Sequence, residues 1–546
     1  MSPPPDAPIV SSGAALVQPG RLARDTIVVT ACTFLSRLTG FARVLVAAAV
    51  LSTGLLGDTY HAANIVPNLL FELVAGGVLQ AVLLPTFVAA RREGGDEQLG
   101  RTAGVLLAAL TAGLAAIVLL ALIAAPFVAR AMTSLEDDPT VAADKLAVMT
   151  PMLLVFIPQV IFYGIGMVAT AALAARRRFA AAALAPAVNN VVVIACYLLY
   201  RASRHGQPAS LDLDPWQFTL LAGGTTLAVI VFTAVPGMVL SAQGVRWRPS
   251  WQPRHPAIVA LRSSVGWAML SVVGTLVPTA AAVVLGYGEE GGVAVFTLAF
   301  AFFVLPHALV AVPVATTLAP RVAESWQRGK RGQTTALIDK ATIVVVPALC
   351  FAGAAMVALA WPIAHVVRSL GQAGSQGAAP IAHSLAVFGP GLLGYGMAFV
   401  MTRVLFSVHD VRRAAVLVSC SALVGVVAMI VASRAIAGTE RAAALALGYG
   451  LAQAVSAALL TLRVRQLTGV PSWASVIRLT AGSLGAAGLS GLSMLVVQHQ
   501  FGTGRASSIM AIGLGATVGI IVFAAAVTVL AGVRPSTLLS RTAADV

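Results

Sequence analysis

The sequence predicts an all-α polytopic membrane protein of about fourteen transmembrane helices, built as two pseudo-symmetric six-helix lobes plus a C-terminal helix pair. Three observations predict it. Of 546 residues, 58% are hydrophobic and only 10% charged, with a mean hydropathy of +0.91. That leaves too little polar surface to cover a soluble core of this size. Fourteen apolar stretches reach the roughly 20 residues that a bilayer crossing requires. A pattern of residues also recurs at an offset of 232 positions.

The first residues, MSPPPDAPIVSSGAALVQPG, are rich in Pro, Ser and Gly and lack a signal peptide's basic start, apolar core and cleavage site. Residues 1–24 are expected to form a disordered tail. Spans are then predicted at 25–52, 59–90, 102–130, 146–175, 179–200, 216–241, 257–286, 292–320, 339–367, 381–407, 413–433, 442–462, 474–498 and 507–531. Grouped, these give a first lobe at 25–241, a second at 257–466 and a final pair at 473–532, before a short tail at 533–546. The repeat supports the grouping. Pro158, Tyr163, Gly164, Thr170 and Leu173 align with Pro390, Tyr395, Gly396, Thr402 and Leu405, and each copy runs into a basic turn. Transporters are commonly built from such repeats, with the substrate path at their interface.

The charge excess of +15 belongs to the loops. Of the 35 basic residues, 24 fall at one set of span ends, 8 at the other and 3 inside spans. Cationic residues concentrate in cytoplasmic loops, so this three-to-one bias predicts that both termini are cytoplasmic. No basic stripe interleaved with aromatics and no nucleic-acid motif is present, which excludes a nucleic-acid partner. The four cysteines (Cys32, Cys196, Cys350 and Cys420) are far apart in apolar runs, without zinc or disulfide spacing. No P-loop, HExxH or nucleophile elbow occurs. The reading is therefore a non-enzyme without cofactor or metal.

Candidate functional residues are the charges at membrane depth, because each costs roughly 2.5–3.5 kcal/mol there and by default faces a protein interior or a wet cavity. The first span carries Arg37 and Arg43, and the second carries Asp58, His61, Asn68 and Glu72. At about 100° per residue those four second-span residues fall in an arc of roughly 80°. Two carboxylates and a histidine on one stripe point to a cavity wall; interhelical bonding that only holds the bundle is the other reading. A guanidinium is a bidentate partner for phosphate, so Arg37 and Arg43, with Asn68, are candidate head-group ligands. Asp58, His61 and Glu72 are candidate gating residues that pair with those arginines. In the second half, His307 and Arg403 are candidates, although Arg403 is close enough to a span end to snorkel. His409 and Asp410 read as turn residues.

The stretches SRLTGFAR (36–43), GD (57–58), PNLL (67–70), RF (178–179) and APAVNN (185–190), with Phe406 and Asp410, resemble the MurJ/MviN family of lipid II flippases. The resemblance runs over all fourteen spans. It implies two lobes around a central cationic cavity, with the last two helices forming a groove for a polyprenyl tail. The implied partners are an undecaprenyl-pyrophosphate-linked sugar lipid, the bilayer and cell-wall synthesis proteins, and the implied location is the bacterial cytoplasmic membrane. This chain departs from the family's pattern in several places. Phe71 and Glu72 stand where the family has an arginine pair, and Gly76 stands at an acidic position. Phe300, Ala301 and Val304 replace an acidic–arginine pair and a following glutamate. The family's sodium site is not apparent in spans seven, eleven and twelve. The expected function is an inner-to-outer-leaflet lipid II flippase working by alternating access. Export of another polyprenyl-linked glycan or amphiphile, and a non-transporting cell-wall scaffold, are the alternatives.

Overall fold

The computed structural model describes residues 19–74, 80–263, 266–371, 377–436, 438–469 and 473–533. Most of the expected N-terminal tail, Gly76 and most of the C-terminal tail lie outside them. All the regular elements of the described residues are helices, with no strand.

Helix α1 (Pro19–Leu51) begins six residues before the expected first span. It ends where Ser52 takes a left-handed φ of 66° and its hydroxyl accepts from the Gly54 amide at 2.9 Å. Helix α2 (Leu55–Val74) contains Pro67. Helix α3 (Gln80–Thr133) has 54 residues, a length of about 81 Å at 1.5 Å per residue, far more than one crossing needs. It is broken at Gly94 and Gly95, the latter at φ 64°. Leu83 and Phe87 before the break share a buried cluster with Leu99, Ala103 and Leu106 after it, so the chain doubles back there. Thirteen helical segments among the described residues are long and apolar enough to cross a membrane, and α2 is not counted among them. The difference from fourteen lies in the second predicted span: α2 holds its start, and its end shares one 51-residue segment with all of the third.

The first half continues through α4 (Pro139–Phe156), α5 (Gln159–Ala175), α6 (Ala180–Ser203) and α7 (Pro215–Phe218). After a π turn at Thr219–Gly223 it ends in α8 (Gly224–Ala242). Asp138 caps α4 by accepting from the Thr140 amide at 2.8 Å, with Pro139 at the first helical position. The second half comprises α9 (Pro256–Ser263), α10 (Gly266–Gly286), α11 (Gly292–Gln327), α12 (Arg331–Ala358) and α13 (Ala360–Leu370). It is completed by α14 (Ala379–Ser407), α15 (Val411–Ala435) and α16 (Arg441–Thr468). The hairpin of α17 (Trp473–Gln498) and α18 (Arg505–Leu530) packs on α12 and α13, where Phe351 meets Phe523 at 5.1 Å.

The 232-residue repeat extends to backbone geometry. Arg177 and His409 both take left-handed φ, 59° and 63°. In each copy the next residue's amide reaches back five positions, Arg178 to the Leu173 carbonyl and Asp410 to the Leu405 carbonyl, both at 2.9 Å. This is the same helix-ending motif twice. His409 and Asp410 are turn residues, as expected, and Asp410 additionally accepts from Arg463 at 2.7 Å.

Small residues set the tightest helix crossings, as they do where association in a membrane depends on close backbone approach. A Cβ on Gly391 would lie 2.8 Å from Gly450 Cα, and one on Gly394 2.8 Å from Ala454 Cα, so α14 and α16 touch backbone to backbone. Gly394→Leu must therefore push the two helices apart. It is expected to lower the midpoint of thermal unfolding in detergent by several degrees, while Gly513→Leu, whose Cβ meets nothing within 4 Å, leaves it within a degree or two.

Candidate functional site

Helices α1 and α2 stand on the seam between the two halves, α1 touching α11 and α13 and α2 touching α10 and α11. Phe41 of α1 meets Phe302 of α11 edge to face at 4.8 Å. Two chambers flank this seam.

The first chamber, 220 Å³, lies inside the first half and is lined by Arg43, Asn64, Asn68, Tyr163, Asn189 and Asn190, with Val193, Val229 and Phe232 as apolar wall. Asn68 is held on both sides: its amide donates to the Asn64 carbonyl at 3.0 Å and its oxygen accepts from Tyr163 at 3.3 Å. Asn190 donates toward Thr39 Oγ1 at 3.3 Å, tying α6 to α1.

The second chamber, 510 Å³, lies inside the second half and brings together Glu72, His307 and Arg403 with Tyr395, Gln453 and Ser456. His307 is buried between the Tyr395 ring at 4.2 Å and the Phe399 ring at 5.0 Å, and its Nδ1 has no hydrogen-bond partner. Arg403 places its guanidinium over Phe399 at 5.2 Å. Beside this chamber, Phe296, Phe300, Phe303, Phe388 and Tyr449 form an aromatic cluster with ring spacings of 4.8–6.3 Å. Phe300 is one of the residues noted above in place of a charge.

The two arginines of α1 are placed differently, and Arg37 is among the lining residues of neither chamber. Six helical positions separate them, about 9 Å along the axis and about 120° around it. Arg43 lines the first chamber, whereas Arg37 is close enough to His307 and Tyr395 of the second half to act on them electrostatically. Among the described residues neither has an ion-pair partner, so the expected pairing with Asp58 and Glu72 is not found. His61 packs edge to face on Tyr60 at 5.6 Å, and Tyr60 in turn bonds Thr225 at 2.6 Å and Tyr197 at 2.9 Å.

Asp58 is fully buried and bonded elsewhere. Its Oδ2 accepts from the Gly291 amide at 2.6 Å, and its Oδ1 from the Val293 and Ala294 amides at 3.0 and 2.7 Å. Those amides are the unsatisfied donors at the start of α11, where a carboxylate is favoured by both the free N–H groups and the helix dipole. Gly291, at φ 82°, supplies the turn that aims its amide. One first-half side chain thus caps a second-half helix. Around it, Tyr287 donates to Thr59 Oγ1 at 3.2 Å. Buried Lys145 donates to Glu136 and to the Tyr287 carbonyl, the latter at 2.9 Å. The halves are locked together at the arginine-poor end of the bundle.

The predicted second-span stripe is therefore split three ways: Asp58 into this lock, Asn68 into the first chamber and Glu72 into the second. Because α2 stands on a seam, residues only about 40° apart on it reach different halves. The sequence reading missed Lys145, Tyr287, Asn189 and Tyr163 as site residues. A lone lysine at the start of an apolar span and an adjacent Asn pair inside another carried the signal. Tyr163 carried a signal only through its repeat partner Tyr395, and Tyr287 carried none.

Two helical lobes meeting along α1 and α2, closed at one end and chambered within, define a transporter fold of the multidrug and lipid-exporter kind. A solved multidrug-resistance transporter of the MATE family in the MOP superfamily, in an inward-facing conformation, matches over 81% of this chain and 98% of its own, with a TM-score of 0.63 at 13% identity. A solved structure described as lipid II flippase MurJ, inward closed conformation, matches over 92% of this chain and 98% of its own, with a TM-score of 0.69 at 16% identity. The family model for lipid II flippase MurJ matches residues 47–531, and the chain belongs to that family. The motif at 36–43 lies outside the matched range. A probable lipid II flippase MurJ of Rhizobium meliloti (strain 1021) is 24% identical over 407 residues, 74% of each chain. The lipid II flippase MurJ of Burkholderia cenocepacia is 23% identical over 401 residues, 72% of this chain and 74% of its own.

Proposed function

We propose that this chain is a flippase for lipid II, carrying the polyprenyl-pyrophosphate-linked peptidoglycan precursor from the inner to the outer leaflet of a bacterial cytoplasmic membrane. The match to the family over residues 47–531 carries this reading, and nothing in the likenesses favours another glycan exporter or a scaffold over it. The loop-charge bias supports an orientation with both termini and the arginine-rich end in the cytoplasm. In that orientation the Asp58 lock shuts the outer face, and its breaking and reforming is one half of alternating access. Arg37 and Arg43, helped by Asn68, act on the head group from two faces of α1 about 120° apart. Glu72, His61, His307 and Arg403 adjust the charge of the path, and the α17–α18 hairpin guides the polyprenyl tail. Cell-wall synthesis proteins are its expected neighbours.

Conditional depletion of the protein, followed by measurement of lipid II accessible at the cell surface, tests the reading. Accessibility is expected to fall as the protein is lost, and unchanged accessibility would rule the function out. In the same cells, Arg37→Ala and Arg43→Ala chains are each expected to support growth poorly. If both restore it fully, the head-group role of these arginines is wrong.

A further inference from the structure

We infer that the first-half chamber is a subsite for a single acetamido-sugar ring of the cargo, with carboxamides reading the sugar's own amide. This rests on the flippase reading above and specifies which part of the cargo this chamber takes.

The argument begins with unspent bonding capacity. Among the described residues, the side chains of Arg43, Asn64 and Asn189 have no hydrogen-bond partner, although all three line the chamber. Asn68 has one amide hydrogen uncommitted after its bond to Asn64, and its orientation is fixed by Tyr163. A carboxamide offers two donors and an acceptor oxygen, and an acetamido group offers one donor and one acceptor in matching geometry. Polar groups held at membrane depth without partners are costly, and they mark places where a ligand or water completes them.

Charge selects against the pyrophosphate as the occupant. Arg43 is the chamber's one charged lining residue, and the remaining polar groups are neutral. Two or more negative charges beside a single guanidinium would leave charge uncompensated in the chamber, whereas one guanidinium among carboxamides suits a neutral ring that adjoins a charged linkage. Shape agrees. Val193, Val229 and Phe232 give an apolar face for ring C–H groups and the acetamido methyl, and Tyr163 packs between Phe71 at 4.8 Å and Phe232 at 5.9 Å to make an aromatic wall. At 220 Å³ the space falls below the range of about 300–1,000 Å³ typical of drug-sized ligands, which limits it to one ring.

The test uses the full-length protein in lipid nanodiscs and three probes on one carrier: bare undecaprenyl pyrophosphate, the same carrier bearing one N-acetylhexosamine, and the carrier bearing one plain hexose. The wild-type protein is expected to bind the acetamido probe at least tenfold more tightly than either of the others. Asn64→Leu and Asn189→Leu should erase that preference while leaving affinity for the bare carrier within about twofold, which also reports that each variant is folded. Asn64→Ser, small enough to leave the walls in place, should lose the preference in part. Equal wild-type affinity for all three probes overturns the subsite and leaves the flippase reading standing. Loss of bare-carrier and acetamido binding together in the leucine variants also overturns it, because the asparagines would then be structural. Failure of the wild-type protein to bind any of the three overturns the flippase reading as well.

Discussion

Asp58→Asn is expected to abolish support of growth and to expose the outer end of the lobe seam. The carboxylate accepts three amide bonds of 2.6–3.0 Å across the halves. An asparagine keeps one acceptor oxygen and turns an NH₂ toward at least one amide, so at least one charged hydrogen bond is lost and a donor faces a donor. A hydrogen bond to a charged group contributes about 1.5–3 kcal/mol, so the closed-to-open equilibrium constant should fall roughly tenfold to over a hundredfold. Thr59, fully buried beside the lock, is a convenient reporter. In a background lacking the four native cysteines, Thr59→Cys should react slowly with a membrane-impermeant maleimide added outside. Adding Asp58→Asn should speed that reaction by a similar factor. Normal growth with unchanged labelling would mean that the cap does not hold the outer face shut.

Lys145→Met should destabilise the fold itself. Its amine is buried, donates to Glu136 and to the Tyr287 carbonyl, and lies 4.8 Å from the Tyr287 ring centroid. Removing one partner of a buried pair costs about 3–5 kcal/mol, mostly because the other charge is stranded. Glu136 keeps 13% of its side-chain surface accessible, so the lower part of that range applies. The expected result is a clear fall in thermal stability in detergent and in yield from the membrane. Lys145→Met with Glu136→Gln should recover much of the loss, since no uncompensated charge remains. Equal instability of the single and double variants would assign the effect to packing around Tyr287.

Much of this architecture was legible in the sequence, because a bilayer forces the signal: each crossing must be long and apolar, and each buried charge is conspicuous. The repeat could be read for a related reason. The carbonyls of Leu173 and Leu405 each accept the bond that closes a helix, and the motif brings a basic turn with it. The partners of the charges were not legible. Helical angles placed Asp58, Asn68 and Glu72 on one stripe, but no angle on α2 alone reveals that the helix lies on a seam. The pairing expected between Asp58 and the arginines followed from charge alone, whereas the carboxylate is satisfied by amides, which every sequence supplies and none announces. Lys145 stands one residue before the predicted fourth span and so reads as a loop charge, and of its two partners the one across the seam is a main-chain carbonyl.

The bond from Asp58 to three backbone amides has a genetic consequence. A lock addressed to the main chain takes no hydrogen bond from the side chains at Val293 and Ala294, which are buried in apolar packing of their own. On the receiving side it requires backbone shape instead: Gly291 for its left-handed φ, and Gly292 because a Cβ there would run into the Gly286 carbonyl oxygen. Compensating substitutions opposite an Asp58 variant therefore have no side chain to act on. Suppressors of such variants should arise instead where the closed state can be favoured by other means, around Tyr287, Lys145 and the arginine-rich end.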